Sequence, residues 1–405
     1  MQAESASDTK RAAPAGGNTG EDFPDDLRDH VSFDIEDCAH TLAELISEYE
    51  VDRERAGTIL RLRLGVAGDR PETLTRIGAR LDFSRDRARQ LHTKAVGELL
   101  RYATHVGRLP APEYARRYPL GARDSALTRL LLAETYATDT DIAVNDLCYL
   151  KLRLAGQHGA DAKRIAGYVT QQVVGWRKKT NHLLSRLRDM DPPAGPPAPW
   201  PDRIDWPADT ASPSALPTVP ARTFDLDDDG RGSFYLHKPG RDIGFDSGLE
   251  ARLLRLLDTD ERVRTFQEYP VALDYRTDDT QQVHFPTVAA ELTDRRRVLI
   301  DVQPLGNIGF HGNRAKSAAG RRWAHDNGWG WWLWTGSALG EPELSARTVR
   351  ADAERTLTDL VAAGAVHATT LRQVRAETGL DLLDLITLVV RNDWRWDRAP
   401  LRLSA

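Results

Sequence analysis

The chain has 405 residues, of which 55 are Lys or Arg and 60 are Asp or Glu, so its formal net charge is −5. This mildly acidic balance excludes a chain that is basic throughout, and any nucleic-acid surface must be a local patch. Two cysteines, Cys38 and Cys148, exclude a disulfide scaffold and a four-thiolate metal site. No apolar stretch approaches the roughly 18 residues of a membrane span, and the start lacks an apolar signal core. We expect a cytoplasmic, multidomain protein without a membrane partner.

The N-terminal half is dominated by helical patterns. Residues 1–30 are poor in large apolar side chains and are predicted to be a disordered tail. Leucine and isoleucine then recur with helical spacing over 31–109 and again over 110–190. The run Ile-Leu-Arg-Leu-Arg-Leu at 59–64 matches Tyr-Leu-Lys-Leu-Arg-Leu at 149–154, an offset of 90. The repetition predicts tandem all-α modules, the alternative being a chance similarity of two stretches rich in arginine and leucine.

Proline marks a change of character after these modules. Ten of the 22 prolines lie in residues 191–220, which predicts a Pro-rich linker over 191–221. Residues 222–350 then predict a mixed α/β domain, and residues 351–405 return to helical patterns. This last segment fits either a winged-helix module or a helical hairpin that docks on the preceding domain. The elements expected in the α/β domain are strands over 265–275, 283–292, 298–302 and 330–335 and a helix over 311–327.

Residues 73–91 predict two helices joined by a tight turn. Ser84 is placed to cap the second helix, which would bury Ala88 and Leu91. The opposite face is rich in Arg and Gln, which offer paired hydrogen-bond donors to guanine and adenine, as the recognition helix of a helix-turn-helix requires. The alternative is the solvent face of an ordinary helical hairpin. The candidate DNA-binding residues here are Ser84, Arg85, Arg87, Arg89, Gln90 and Lys94.

The region over 31–104 resembles region 4 of the sigma-70 family. The likeness runs from Leu-Arg-Leu-Arg-Leu-Gly at 60–65 to Arg-Gln-Leu at 89–91. It implies a helix that reads double-stranded promoter DNA in the major groove. Region 4 of that family also binds RNA polymerase, so a polymerase-interacting scaffold is an alternative. In the second module Arg177 and Lys178 are expected to touch DNA, unless that degenerate copy serves only for packing.

A second set of motifs lies in the α/β domain. A helix opens around Glu250, followed by His-Phe-Pro-Thr at 284–287 and Ile-Asp-Val-Gln at 300–303. This order, over about 240–335, resembles the TnsA-like endonuclease domain of the PD-(D/E)xK superfamily. The resemblance implies a restriction-endonuclease-like fold and a transposase-like partner. In such a site carboxylates hold Mg²⁺, which polarises the phosphate and activates water.

The nuclease motif departs from its pattern at two positions. The resemblance assigns catalytic and metal-binding roles to Glu250 and Asp301, but Thr287 stands in place of the main metal-binding aspartate and Gln303 in place of the lysine. Neither replacement supplies a charge. Glu291 lies four residues after Thr287, would face the same side of a strand, and could complete a metal set with Glu250 and Asp301. Further candidates for a migrated ligand or charge are His284, His311 and Lys316.

Two functional hypotheses follow from these motifs. The first is a DNA-binding regulatory protein with an inactive nuclease fold and no cofactor. The second is a Mg²⁺-dependent DNA endonuclease, as a subunit of a transposase-like or defence system, with Glu250, Asp301 and Gln303 in the catalytic site and Glu250, Asp301 and Glu291 on the metal.

Overall fold

The structure is a computed structural model that describes residues 32–66, 70–187, 200–208, 213–222, 232–278, 280–398 and 400–405. The predicted tail over residues 1–30 lies outside the described residues. The rest combines a helical N-terminal part with small sheets, as a multidomain α and α/β chain predicts. No helix among the described residues has both the length and the apolar character that a bilayer span requires.

One hydrophobic core runs through the helices of the N-terminal half. It contains Leu45 and Leu99 from the first predicted module together with Leu150 and Val169 from the second. The predicted boundary near residue 109 therefore crosses a shared core, and we call 32–187 the helical unit. Its helices are α1 (Phe33–Glu50), α2 (Glu54–Leu64), α3 (Leu74–Leu81), α4 (Arg85–His105), α5 (Pro112–Arg117), α6 (Asp124–Ala137), α7 (Val144–Leu154) and α8 (Gly159–Leu187).

The second copy does not form a helix-turn-helix. Helices α2 and α7 share the offset of 90 seen in the sequence, but α8 runs without a break where the first copy turns between α3 and α4. In the first copy Asp82 ends α3 in the left-handed conformation, with φ of 58°. The corresponding stretch of α8 contains Gln171 and Gln172, which favour a continuing helix. The expectation of tandem helix-turn-helix modules is therefore wrong for the second copy.

The α/β part is built on a mixed sheet with the spatial order β3-β6-β7-β8. Its first three strands are antiparallel, and α10 connects the parallel pair β7 and β8. Leu253 of α9 packs with Ile300 on one face, and Ala324 of α10 packs with Leu299 on the other. The elements are β1 (Gly232–Leu236), β2 (Arg241–Phe245), α9 (Gly248–Thr259), β3 (Val263–Glu268), β4 (Leu273–Thr277), β5 (Thr280–His284), β6 (Val288–Leu292), β7 (Arg297–Val302), α10 (His311–Asp326) and β8 (Gly330–Trp334).

Two of the predicted strands are each divided into two. The stretch 265–275 breaks at Tyr269, which has a left-handed φ of 42°, and at Pro270. The stretch 283–292 breaks at Pro286, which cannot donate to a strand ladder. The displaced halves pair with each other as the β4–β5 hairpin. The β1–β2 hairpin was not predicted.

Part of the predicted linker is bound to the α/β part. The Trp200 ring stacks on Trp332 with centroids 5.0 Å apart. Asp205 forms backbone hydrogen bonds of 2.9 and 2.8 Å with Trp331. Trp200 and Ile204 bury apolar surface here, so residues 200–208 do not act as a free connector. Residues 191–199 lie outside the described residues.

The C-terminal segment has the element order of a winged helix, yet the second helix of its helix pair is buried. All residues from Leu382 to Val389 of α14 are buried, and α14 packs against α11. The two expectations for this segment thus combine, since its helix pair is also a docking element. Its elements are α11 (Glu341–Ala346), α12 (Ala351–Ala363), β9 (Val366–His367), α13 (Ala368–Thr378), α14 (Leu382–Asn392), β10 (Arg395–Arg398) and β11 (Leu401–Ser404), with sheet order β10-β11-β9.

Buried ion pairs join this C-terminal segment to the first helix. Arg398 donates two hydrogen bonds to the carboxylate of Glu36, at 2.9 and 2.7 Å, and both side chains are buried. Arg375 forms a second pair with Asp37 at 2.8 Å. The end of the chain therefore packs directly on the helical unit.

Candidate functional site

The turn between α3 and α4 is held by capping side chains. Thr73 caps α3 with its hydroxyl oxygen, and Asp82 closes that helix in the left-handed conformation. The Oγ atom of Ser84 accepts a hydrogen bond from the backbone N–H of Arg87 at 3.2 Å and caps α4. Each cap satisfies an amide at a helix start that has no partner within the helix. Ser84 therefore acts as the predicted cap.

A small apolar cluster fixes the angle between the two helices. Ile77 of α3 packs with Ala88 of α4 and Ile59 of α2, and all three are buried. The backbone N–H of Phe83 donates to the carbonyl oxygen of Gly78 at 2.7 Å, which draws the turn against α3. The N-terminal end of α4 is thus presented on a rigid base.

The predicted DNA-contacting side chains lie on the outer face of α4. Arg87, Arg89, Gln90 and Lys94 are exposed, whereas Arg85 is half-buried. Their contacts are within the helix and long: Arg87 Nη1 lies 3.4 Å from Gln90 Oε1, and Lys94 Nζ lies 3.8 Å from a carboxylate one turn on. Pairs of this kind are weak in water, so these donors can exchange them for a ligand.

Arg177 and Lys178 lie in the C-terminal part of α8. Their side chains are outside what the structure describes. Since α8 contains no turn, these residues do not occupy the position of a recognition helix.

Glu250 lies at the buried start of α9 and is fully enclosed. Its Oε2 atom accepts hydrogen bonds from the hydroxyl of Tyr269 at 2.8 Å and from the backbone N–H of Asp246 at 2.7 Å. Its Oε1 atom accepts a hydrogen bond of 2.8 Å from Nη1 of Arg70, a residue of the helical unit. Glu250 is therefore neutralised by an arginine of the same chain.

Asp301 lies at the end of β7, in a separate set of contacts. Its Oδ2 atom is 2.9 Å from His284 Nε2 and 3.3 Å from Gln303 Nε2, and its Oδ1 accepts a bond of 3.3 Å from the hydroxyl of Thr287. Burial alone would raise the pKa of Asp301, but His284, Gln303 and the charge of Arg70 hold it below its ordinary value. Asp301 is thus a buried carboxylate that its neighbours keep ionised.

The two departed positions have structural partners of their own. The hydroxyl oxygen of Thr287 also accepts a bond from the backbone N–H of Val302 at 3.2 Å. The amide nitrogen of Gln303 donates to Ser317 Oγ at 3.1 Å as well as to Asp301. Both side chains are buried, so they complete a hydrogen-bond network.

Glu291 does not join this site. It pairs with Arg297 across β6 and β7, whereas the end of β7 carrying Asp301 lies about 13 Å away along the strands. Arg264, Arg295 and Arg297 surround its carboxylate and hold its pKa low against the effect of burial. The expected metal set of Glu250, Asp301 and Glu291 is therefore wrong, because spacing by an even number places residues on one face but not at one end.

The remaining candidates do not rebuild a metal site. His284 contacts Asp301, whereas Lys316 Nζ lies 3.4 Å from Asn313 Oδ1 within α10. Among the described residues, no three His, Cys, Asp or Glu side chains are grouped as a metal ion would need. With Thr287 and Gln303 in place of charged groups, the residues present do not fit a Mg²⁺ site.

Arg70 is the member of this region that the sequence did not reveal. It precedes α3 and reaches both Asp139 and Glu250, the latter 180 positions further along the chain. Burial alone would lower its pKa, but the carboxylates of Asp139 and Glu250 raise it well above its ordinary value. No local spacing signals such a contact, because it depends on how two separate parts of the chain dock.

Comparison with known proteins returns no relatives: no family model matches the chain, and neither does any curated protein. The function must therefore be argued from the geometry.

Proposed function

We propose that the protein binds double-stranded DNA through α3 and α4 and acts as a regulatory DNA-binding protein. The observation that carries this proposal is the exposed face of α4. There Arg87, Gln90 and Lys94 stand at the capped start of a helix that a three-residue turn holds against α3. Arg and Gln at such a position can donate paired hydrogen bonds to base edges in the major groove. The cationic face is local, as the net charge of −5 demands.

The second helix pair of the chain supports the choice of α4. Helices α13 and α14 are also joined by a tight turn, with Gly379 in the left-handed conformation and Asp381 as cap. Yet α14 is buried from Leu382 to Val389 and could not enter a groove. Of these two pairs, the α3–α4 pair presents its second helix to solvent.

The finer assignments belong to the same proposal. The order and spacing of 60–91 support a module like sigma-70 region 4. The order α9-β3-β6-β7-α10-β8 around a mixed sheet supports a TnsA-like, restriction-endonuclease-like fold in the α/β part. Thr287, Gln303, the distant Glu291 and the placement of Arg70 support a fold without metal-dependent chemistry.

DNA recognition is tested by selecting sequences from a random duplex library with the full-length protein and measuring their affinities by fluorescence anisotropy. Arg87→Ala and Gln90→Ala should each reduce discrimination between selected and scrambled duplexes by about 1–3 kcal/mol. Arg129→Ala, which removes an exposed arginine of α6, is the matched control and should change nothing. Unchanged affinity and unchanged salt dependence in both α4 variants would reject the interface.

The endonuclease alternative is favoured by one observation, that Glu250 and Asp301 are both buried carboxylates whose ionisation Arg70 influences. It is tested by incubating supercoiled plasmid with the protein in Mg²⁺, Mn²⁺ or EDTA and separating the products with and without deproteinisation. We expect retarded but intact plasmid, equal in EDTA. Metal-dependent nicking that disappears in Asp301→Ala would establish the nuclease instead.

A further inference from the structure

The pocket at the start of α9 holds an arginine with unusual completeness. We name Asp139, Ser247 and Glu250 the guanidinium pocket. The Nε atom of Arg70 donates to Asp139 Oδ2 at 2.8 Å, Nη1 to Glu250 Oε1 at 2.8 Å, and Nη2 to Ser247 Oγ at 3.1 Å. We propose that this pocket of the α/β part is a guanidinium-binding site and that its ligand is Arg70 of the same chain.

The charges of the pocket require a cation. Glu250 is fully buried and Asp139 is 4% exposed. Burying two carboxylates without a counter-charge would cost several kcal/mol each. The nearby Arg222 pairs with Asp246 and lies 3.6 Å over the ring of Tyr269. It serves the other side of Glu250, which leaves the guanidinium pocket to Arg70.

The shape of the pocket selects a guanidinium over a metal ion or an ammonium. Tyr269 and Asp246 occupy Oε2 of Glu250, so only Oε1 faces Arg70. A hard divalent cation needs about six oxygen ligands, more than the pocket offers. The three acceptor groups instead match the planar fork of an arginine, whereas a lysine ammonium is a single point charge.

Arg63 prepares the ligand and the walls of the pocket together. Its Nη1 atom donates to the carbonyl oxygen of Glu72 at 3.1 Å and its Nη2 to that of Ile142 at 2.9 Å. These bonds tie the segment that carries Arg70 to the segment that carries Asp139 and Asp141. Asp141 Oδ2 in turn accepts a hydrogen bond from the backbone N–H of Gly248 at 3.1 Å. The result is that the segment leading into α3 docks on the α/β part.

The test is chemical rescue in the full-length protein. The side chain of Arg70 is 37% exposed, so a small molecule can reach its place from solvent. Arg70→Ala should lower the thermal unfolding midpoint by several degrees, and millimolar ethylguanidinium should restore it saturably. Ethylammonium should restore less, and the double variant Arg70→Ala with Glu250→Gln should not respond. Arg80→Ala, which removes a 56% exposed arginine paired with Glu72, is the matched control and should show no rescue.

Two results would overturn the proposal. One is an equal response to ethylguanidinium in Arg70→Ala and the unmodified protein; the other is an equal rescue when Glu250 is also replaced. Arg70→Lys gives an independent reading if the alanine variant does not fold. Its ammonium cannot reach all three acceptors, so the amides of residues 246–250 should exchange hydrogen about tenfold faster or more. Exchange equal to that of the unmodified protein would show that charge alone suffices.

Discussion

Gly78 lies so close to the carbonyl oxygen of Phe83 that a Cβ atom at position 78 would stand 2.7 Å from that oxygen. A real Cβ atom cannot hold this distance, and the neighbour in question is backbone. The close approach is what allows only three residues to join α3 and α4.

Gly78→Ala should therefore destabilise the protein by about 1–3 kcal/mol, because the turn must open to admit the methyl group. Gly97→Ala is the matched control within α4, where the nearest atom to an added Cβ is 4.0 Å away on a flexible arginine. That change should stabilise by up to about 1 kcal/mol through helix propensity. Urea unfolding measures both, and equal effects of the two substitutions would contradict the argument.

His92 makes the helical unit sensitive to acid. It is 3% exposed, and burial lowers its pKa below the ordinary 6.5 despite the opposing charge of Asp146. The unfolded chain takes up a proton near pH 6.5 while the folded protein resists it, so this contribution to stability is full above pH 6.5 and is lost as the pH falls below that value. His92→Gln should flatten the fall in unfolding free energy between about pH 7 and pH 5. The exposed His105→Gln should leave the fall in place, and an unchanged slope in His92→Gln would exclude this origin.

The buried face of α14 should be required for stability and not for DNA binding. Ile386 is fully buried in the C-terminal core, so Ile386→Ala should cost about 2–5 kcal/mol. DNA affinity at a temperature where the variant stays folded should equal that of the unmodified protein. Asn392→Ala, at the exposed end of the same helix, is the control. A selective loss of DNA affinity in Ile386→Ala would assign DNA contact to this segment.

Arg398→Ala should be costly because it leaves the Glu36 carboxylate buried without a partner. Breaking one side of such a pair costs about 3–5 kcal/mol. Arg402→Ala removes an exposed arginine from the neighbouring strand β11 and should cost little. Calorimetric midpoints compare the two, and similar midpoints would show that Glu36 is not dependent on Arg398.

The parts of this molecule that were predicted are those encoded over short distances. Residues 73–91 contain their own caps, turn and apolar contacts, so the predicted α3–turn–α4 is confirmed residue by residue. The fold order from α9 to β8 followed in the same way, except where Tyr269 and Pro286 divide strands that hydrophobicity alone would leave whole.

What could not be predicted depends on contacts between distant segments. The spacing of Glu291 from Thr287 was interpreted as a shared site, but the register with Arg297 places it at the far end of the strand. Arg70 gave no signal because its partner is 180 positions away. Trp200 was hidden among prolines, although its ring packs on the sheet.

The pair formed by Glu36 and Arg398 spans 362 positions of the chain. A ribosome therefore releases the first helix long before it has made the residue that neutralises Glu36. During synthesis the helical unit must wait with a carboxylate that has no counter-charge, and its final packing can be completed only when the last strands emerge. The order of synthesis thus makes closure of the N-terminal unit one of the last events in the maturation of this protein.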